Sequence, residues 1–265
     1  MAIDEIHILL LYLNFGREIK NIKCKKNIAL IFQPSEEKYG GAHFIVNSKE
    51  YKSLNIKEVY GFHLWPNIKE KTIACRSGVM MASSNEIDIK VLGKSAHIAN
   101  YSEGIDSIKI ASRLLEDIRG YDIIFNCGKI TSSGARNIIC SEVNMECSLR
   151  TLNNSSRKDF LKYLNDLSVQ YTNLYNVNIY INSNRFTPAV LNSSRLFNKY
   201  RFLIDEVIQP VYQSEDFSFY NSGCETLFFF IGIGPDKLLH DSNFTFNLDV
   251  LDTGVNLLKM IASTN

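Results

Sequence analysis

The first twenty residues repeat apolar side chains at the spacing of an α-helix. Ile6, Leu9, Leu10 and Leu13 fall on one side, so the pattern predicts a helix with an apolar face. The segment NIALIFQ, which starts at Asn27, is almost continuously apolar and predicts a buried strand. The chain is therefore expected to open with a helix that leads into a strand.

A second strand is predicted over residues 58–63, and a pair of glycines between the two strands predicts the start of another helix. The order helix, strand, helix, strand is typical of an α/β sheet. In such sheets the polar residues that bind ligands gather where the strands end. Glu36, Glu37 and His63 fall at these predicted strand ends.

After Gly78 the pattern changes to that of a separate domain. NEIDIKVLG alternates as a half-buried strand does, and GIDSIKIASRLLEDIRG predicts an amphipathic helix. The apolar face of that helix contains Ile105, Ile108, Ala111, Leu114, Leu115 and Ile118. The other elements predicted in this part are strands at 123–130, 143–150 and 177–184 and a helix at 156–175. This βαββαβ order is that of a ferredoxin-like unit.

The α/β pattern resumes near Pro188, with the apolar strand TLFFFIGIG and a closing helix from about Leu248. We therefore expect residues 1–77 and 188–265 to form the two parts of one α/β domain. Residues 78–187 are expected to form an α+β domain inserted between those parts.

Composition narrows the classes of protein that need to be considered. The chain has 265 residues, of which 45% are hydrophobic and 22% charged, as in a globular protein with one large domain or two. A formal net charge of +1 gives no reason to expect nucleic acid or an anionic membrane as partner. The apolar stretch Ile8–Leu13 is too short to span a bilayer and follows acidic residues, so the expected location is the cytoplasm.

The six cysteines form neither a CxxC pair nor a regular framework. We expect free thiols in a reducing compartment, packed as small apolar residues.

The residues at the strand ends of the α/β domain are of types that bind metal ions. Zinc accepts imidazole nitrogen and carboxylate oxygen as ligands. In one hypothesis Glu37, His63 and His240 hold a metal, while Glu36 removes a proton from the attacking water and returns it to a leaving amine. The alternative for each histidine is a structural residue with a local hydrogen bond, and spacing alone leaves that alternative open.

Eight short segments, taken in order, resemble the zinc-type amidohydrolases that include hippurate hydrolase, N-acetyldiaminopimelate deacetylase and plant auxin-conjugate hydrolases. They are FQPSEE with GG close behind, GFHLWP, GKSAH, GARNII, SLRTL, SEDFSFY, FFFIGIG and LLH, and they extend over nearly the whole chain. The resemblance implies a metallopeptidase-type catalytic α/β domain with an inserted α+β ferredoxin-like lid, through which two copies form a homodimer. The implied reaction is hydrolysis of N-acyl amino acids or related amides with two divalent metal ions, zinc first, with manganese, nickel or cobalt as alternatives.

The resemblance also implies a role for single residues. Glu36 resembles the general base, and the metal ligands by resemblance are Glu37, His63 and His240. His97 of GKSAHIAN resembles a lid histidine that, in relatives, reaches the neighbouring subunit's active site and binds the substrate carbonyl or its oxyanion.

Plain structural roles are the alternative for His97, Glu215 and Asp216. Without the resemblance, His97 is interpreted as a strand-end histidine held by a local hydrogen bond. Asn137 of GARNIIC resembles a residue that contacts the substrate. Ser214 is expected to cap a helix whose first turn contains Glu215 and Asp216, so no site role is predicted for these acids.

This chain departs from its relatives at the N-terminus. In relatives a Cys-Gly-His-Asp stretch supplies two further metal ligands, and alignment on His7 places Ala2 at the cysteine and Asp4 at the first histidine. The resemblance therefore implies an N-terminally truncated member, with Asp4 as a substitute ligand and impaired activity of the chain alone. Three explanations stay open: a fragment or split gene whose N-terminal half is a separate partner, a catalytically silent homologue that acts as a dimerising or binding protein, or a truncated reading frame without independent function.

Overall fold

The structure is a computed structural model that describes residues 3–22, 24, 26–35, 40–119, 123–235 and 245–264. The chain divides into two compact units. Unit 1 comprises Met1–Met80, Val190–Pro210 and Asp216–Asn265, and unit 2 comprises Met81–Ala189 and Val211–Glu215. Each unit has its own hydrophobic core.

The helices are α1 (Ile3–Glu18), α2 (Gly41–Asn47), α3 (Lys49–Ser53), α4 (Ser107–Asp117), α5 (Asn154–Tyr175), α6 (Ser194–Lys199) and α7 (Val250–Ser263). The strands are β1 (Glu58–Trp65), β2 (Ile73–Cys75), β3 (Gly78–Met81), β4 (Ser83–Leu92), β5 (Ile123–Ser133), β6 (Glu142–Thr151), β7 (Asn178–Thr187), β8 (Val190–Asn192), β9 (Glu206–Val207) and β10 (Glu225–Gly232). None of the described helices is both long and apolar enough to cross a bilayer.

The main sheet of unit 1 has the strand order β1-β10-β2-β9. Strand β10 is parallel to β1 and antiparallel to β2, and nearly all of its residues are buried because neighbouring elements cover both faces. Helices α1 and α7 pack against each other, with Leu11, Phe15 and Leu258 in the same core as Phe229 and Ile231. The predicted strand TLFFFIGIG and closing helix are therefore confirmed.

The prediction of a buried strand over NIALIFQ is wrong. Residues 27–35 have no regular secondary structure, and Phe32 is 50% exposed. A strand needs a neighbour that accepts and donates backbone hydrogen bonds, and among the described strands β1 pairs only with β10. The apolar run alone was not enough to specify a strand.

Two predicted apolar faces agree with the structure only in part. In α1 the predicted face residue Leu13 is exposed, whereas Leu11 and Phe15 are buried. In α4 Ala111 and Leu114 are buried as predicted, but Ile108 is exposed and Ile110 is buried. Each helix has more apolar residues than one face holds, so the choice of buried face depends on the neighbouring element rather than on the repeat.

Unit 2 has the predicted βαββαβ order. Its sheet is antiparallel with strand order β5-β6-β4-β7, and α4 and α5 contribute to its core. On β4 the buried residues Ile87, Ile89 and Val91 alternate with Glu86 and Asp88, which are exposed. The fold class, an α/β domain with an inserted α+β domain, is therefore confirmed.

Unit 2 also includes a short segment that the sequence analysis assigned elsewhere. The backbone N–H of Ala82 donates to the carbonyl oxygens of Val211 and Gln213. The side chain of Arg150 donates a hydrogen bond to the hydroxyl oxygen of Ser214. Residues 211–215 therefore belong to this compact unit and not to the α/β unit.

All six cysteines are free thiols, as predicted. Cys75, Cys140 and Cys147 are buried. Burial raises the pKa of the Cys75 thiol to about 12, so this residue stays protonated and packs as a small apolar side chain.

Candidate active site

The residues predicted to converge at a metal site are only partly within the described structure. Glu36, Glu37 and His240 lie outside the described residues, so their convergence with His63 stays a prediction. Asp4 lies in α1, and its side chain is outside the described part. Across the described ranges, no group of three or more His, Cys, Asp and Glu side chains is arranged to hold a metal ion.

His63 is held in an orientation that suits a metal ligand. It is half-buried in β1, and its Nδ1 lies 2.7 Å from the carbonyl oxygen of Leu64. A carbonyl only accepts hydrogen bonds, so Nδ1 carries a proton, and in the neutral ring Nε2 then has the lone pair. Histidines that bind metals are commonly oriented by such a bond on the other ring nitrogen. The edge-to-face contact with Trp65, at 5.7 Å between ring centroids, further limits ring rotation.

The parallel pairing of β1 with β10 determines which edge of the sheet carries His63. His63 pairs in register with Phe230, and Trp65 at the end of β1 pairs with Gly232 at the end of β10. Both strands therefore end at the same edge. The chain that leads on to His240 leaves β10 at the edge near which His63 lies.

Asp216 is a residue that the sequence analysis missed. Its side chain is 3% exposed, and its carboxylate joins the two flanks of the segment that contains Glu36 and Glu37. One carboxylate oxygen accepts from Nε2 of Gln33 at 2.6 Å, and the other accepts from the backbone N–H of Ala42 at 3.1 Å. We call these three residues and Tyr220, described below, the Asp216 clamp.

The prediction that Asp216 lies in the first turn of a helix is confirmed, but its carboxylate makes contacts that the prediction did not include. Asp216 does begin a 3-10 helix, Asp216–Asn221, but its carboxylate is bound to residues more than 170 positions away in the chain. The sequence contains a signal that could have revealed this contact. Phe217 and Tyr220 follow closely and are buried, and a carboxylate within such an apolar segment requires hydrogen-bond partners.

Tyr220 completes the clamp from the next turn of the same 3-10 helix. Its hydroxyl donates to Oε1 of Gln33 at 3.0 Å, which fixes the Gln33 amide with its nitrogen toward Asp216. Burial, followed by the nearby charge of Asp216, raises the pKa of Tyr220, so its hydroxyl remains a donor. On the far flank, a Cβ at Gly41 would lie 1.7 Å from the carbonyl oxygen of Pro34, so this approach requires glycine.

His97 and Asn137 lie on neighbouring segments of unit 2. His97 forms a backbone bridge with Ile138, and the backbone N–H of Ile98 donates to the carbonyl oxygen of Asn137 at 3.0 Å. Both predicted residues are exposed. The structure therefore brings together the two residues that the sequence analysis assigned to substrate contact.

The ring of His97 makes a local hydrogen bond, as its plain structural interpretation expects. Nδ1 accepts the backbone N–H of Ala99 at 3.2 Å and so caps the 3-10 helix Ile98–Glu103. Because Nδ1 accepts, the proton of the neutral ring is on Nε2. This geometry is compatible with both interpretations of His97, since Nε2–H is a hydrogen-bond donor directed away from the cap.

The fold of the chain is shared with a known family of peptidases. The profile of the peptidase family M20/M25/M40 matches residues 2–264, so the chain belongs to this family. The resemblance noted in the sequence is thereby confirmed.

Curated relatives are similar to most of this chain. It is 27% identical over 254 residues to N-acetyldiaminopimelate deacetylase of Lactobacillus helveticus, which covers 89% of the chain and 66% of that protein. It is 25% identical over 236 residues to hippurate hydrolase of Campylobacter jejuni, which covers 82% of the chain and 62% of that protein. The chain thus spans less than two thirds of the length of these relatives.

Solved structures of the family share the fold. The YXEP protein of Bacillus subtilis, described as a dinuclear metal binding peptidase, has a TM-score of 0.80 at 20% identity over 98% of this chain and 71% of that one. A tripeptidase of Staphylococcus aureus has a TM-score of 0.77 at 19% identity over 96% of this chain and 69% of that one.

Proposed function

We propose that this chain takes part in metal-dependent hydrolysis of the amide bond of N-acyl amino acids or related small amides. The named activities of its relatives, a deacetylase of N-acetyldiaminopimelate and a hydrolase of hippurate, both act on an N-acylated amino acid. The observation that carries the proposal is the orientation of His63. Its Nδ1–H is bound to the Leu64 carbonyl, so Nε2 is presented as a ligand at the edge where β1 and β10 end.

The ligand types fit a divalent metal, with zinc preferred and manganese, nickel or cobalt as alternatives. Glu37, His63 and His240 would hold it, with Asp4 as a substitute where the resemblance expects histidine. When bound, a divalent metal polarises the amide carbonyl and makes water more acidic.

The remaining steps belong to side chains of this chain. Glu36 accepts a proton from the attacking water and returns it to the departing amine nitrogen. His97 donates from Nε2 to the oxygen of the amide carbonyl as negative charge develops there. Asn137, whose backbone carbonyl oxygen accepts the N–H of Ile98, orients the substrate beside His97.

We further propose that two copies associate through the β5 edge of unit 2. Strand β5 is at the edge of the sheet in the described residues and carries exposed Ile124 and Ile130. Ile130 pairs with the buried Met145, so it extends the apolar side of the sheet into solvent. An exposed apolar edge strand is a template for pairing with another chain. In this dimer His97 would act at the partner copy's site.

The test is metal content together with turnover. We expect the purified chain, stripped and then supplied with zinc or manganese, to bind at least one ion per chain and to hydrolyse N-acetyl amino acids. Glu36→Gln should keep the metal and lose hydrolysis, because it removes the proton acceptor, whereas His63→Ala should lose both.

Glu50→Gln, an exposed change in α3, is the matched control and should alter neither property. A chain that binds no metal and hydrolyses no amide would refute the proposal. If that chain still dimerises, a catalytically silent dimerising protein becomes the better description.

A further inference from the structure

We infer that Asp216 is a positioning residue that sets the distance and orientation between the two flanks of the segment carrying Glu36 and Glu37. The inference rests on the proposed function, because it assigns to Asp216 the task of holding the proposed base, Glu36, in its working position. The observations that support it are the contacts of Asp216 with Gln33 and Ala42 and of Tyr220 with Gln33, all of which lie in the described part of the chain.

The first argument is the arrangement of donors around one carboxylate. Gln33 lies before the two glutamates and Ala42 lies after them, and each donates to a different oxygen of Asp216. A carboxylate is an acceptor only, and its two oxygens can bind two converging donors at once. Asp216 therefore fixes Gln33 and Ala42 relative to each other.

The second argument is burial. A carboxylate that is 3% exposed is costly unless hydrogen bonds replace its water shell, and losing one of these leaves a buried charge short of a partner. The bond to Ala42 also satisfies one of the N–H groups that the first turn of α2 leaves unpaired. A substitution of Asp216 should therefore affect the positions of both flanks, at Gln33 and at Ala42.

The third argument is the second layer of the clamp. Tyr220 fixes the Gln33 amide, and the backbone of Gly41 passes close to Pro34, with its N–H 3.4 Å from the carbonyl oxygen of Ser35. The flanks are thus braced by side-chain and backbone contacts. A misplacement of about 1 Å in a reacting group costs roughly 100-fold in rate, so small shifts of these flanks matter.

The first test is Asp216→Asn, which keeps the size but replaces one acceptor oxygen by a donor nitrogen. If that nitrogen faces the N–H of Ala42, the Ala42 flank is released. If it faces Gln33, the Gln33 amide has to turn and loses the hydrogen bond that its Oε1 accepts from Tyr220, so the clamp is weakened in either case. In metal-loaded protein we expect kcat for N-acetyl amino acid hydrolysis to fall about 10- to 100-fold, with KM changed less than threefold and metal content retained.

A second readout does not depend on activity. The rate of tryptic cleavage after Lys38, followed by mass spectrometry of that one bond, reports how firmly residues 33–42 are held. Asp216→Asn should raise this rate about tenfold or more. This readout separates failure of the inference from failure of the proposed function, because it applies even to a chain without turnover.

The decisive test is the paired variant Gln33→Glu with Asp216→Asn, which exchanges the amide and the carboxylate between the two positions. Every hydrogen bond of the clamp then regains a donor and an acceptor. The amide now at position 216 donates to the carboxylate at position 33 and accepts from the N–H of Ala42, and that carboxylate also accepts from Tyr220. We expect the pair to restore the cleavage rate of the unchanged chain after Lys38 and most of kcat.

Asp205→Asn is the control, since this exposed aspartate of unit 1 also accepts a backbone N–H, that of Ile73 at 2.8 Å. It should leave kcat and cleavage after Lys38 unchanged. Unchanged cleavage and unchanged kcat in Asp216→Asn would overturn the inference. A paired variant that remains as impaired as Asp216→Asn would also overturn it, because the negative charge itself would then be required at position 216.

Discussion

Arg195 donates a hydrogen bond from Nη2 to Oε1 of Glu58 at 2.7 Å, at the start of strand β1. The same carboxylate accepts from the hydroxyl of Tyr60 at 2.7 Å and from Nζ of Lys26 at 3.2 Å. Burial raises the pKa of Glu58, but the bonds from Arg195, Tyr60 and Lys26 outweigh it and hold the pKa at about 2. Glu58 is therefore the centre of an ionic cluster at the edge of the sheet opposite His63.

This cluster predicts a pH dependence of stability. The pKa of Glu58 is lower in the folded than in the unfolded chain, so its stabilisation is present above about 4.5 and is lost as the pH falls toward 2. Urea denaturation at pH 7 and pH 3 should show a smaller difference in unfolding free energy for Glu58→Gln than for the unchanged chain. Because the cationic partners Lys26 and Arg195 are exposed to solvent, we expect an effect of about 1 kcal/mol or less.

Asp166→Asn is the control, since Asp166 pairs with Lys162 on the exposed surface of α5. That variant should follow the pH dependence of the unchanged chain. If Glu58→Gln follows it as well, the cluster does not stabilise the fold in the way argued.

A second prediction concerns Asn192, a buried amide that connects β8 to β10. Its Nδ2 donates to the carbonyl oxygens of Arg76 and Phe228, and its Oδ1 accepts the N–H of Phe228 at 2.7 Å. Asn192→Ala removes one donor to each of these carbonyl oxygens and the acceptor of the Phe228 N–H, and the Cys75 thiol still donates to the Phe228 carbonyl oxygen. We expect a loss of about 2–4 kcal/mol in unfolding free energy. Denaturation monitored by circular dichroism measures it.

The control is Asn165→Ala, which removes an exposed bond to the Leu161 carbonyl within α5. It should cost less than about 0.5 kcal/mol. Equal losses of unfolding free energy in the two variants would show that the buried hydrogen bonds of Asn192 stabilise the protein no more than an exposed one.

The proposed dimer gives a third prediction. Ile130 on the edge strand β5 is 54% exposed, and Ile130→Glu would place a charge in the proposed interface. Light scattering coupled to size exclusion should give twice the 30.2 kDa chain mass for the unchanged protein and a single chain mass for this variant.

Leu174→Glu is the matched control, since Leu174 is also exposed but lies near the end of α5. It should remain dimeric. A monomeric unchanged chain, or an Ile130→Glu variant that still dimerises, would contradict the β5 interface.

The parts of the fold that could be predicted are those that local patterns specify. Strand β10 is apolar at nearly every position because other elements cover both of its faces. In β4 buried and more exposed residues alternate because only one face of the strand is covered. NIALIFQ has the composition of a buried strand, but no strand of the described sheet pairs with it. Composition alone does not show whether a neighbouring strand is present.

The clamp could not be predicted for a related reason. Gln33 and Asp216 are 183 positions apart, and no helical or strand repeat encodes a contact at that separation. His63 was predicted as a ligand from its place at a strand end and from the family resemblance, and the structure adds its ring orientation. Asp216 lies in SEDFSFY, another segment that carries the resemblance, but the resemblance gave it no role. An acid in the first turn of a helix capped by Ser214 was therefore the simpler interpretation.

The last prediction separates the two interpretations of His97. His97→Asn keeps an acceptor that can bind the Ala99 N–H, but it removes the donor at Nε2, whereas His97→Ala removes both. If His97 donates to the developing oxyanion, both variants should lose about 100- to 1,000-fold in kcat, and only His97→Ala should also lose about 1 kcal/mol of stability. Steady-state kinetics and thermal unfolding measure the two effects. Full activity in His97→Asn would show that this histidine is only a helix cap.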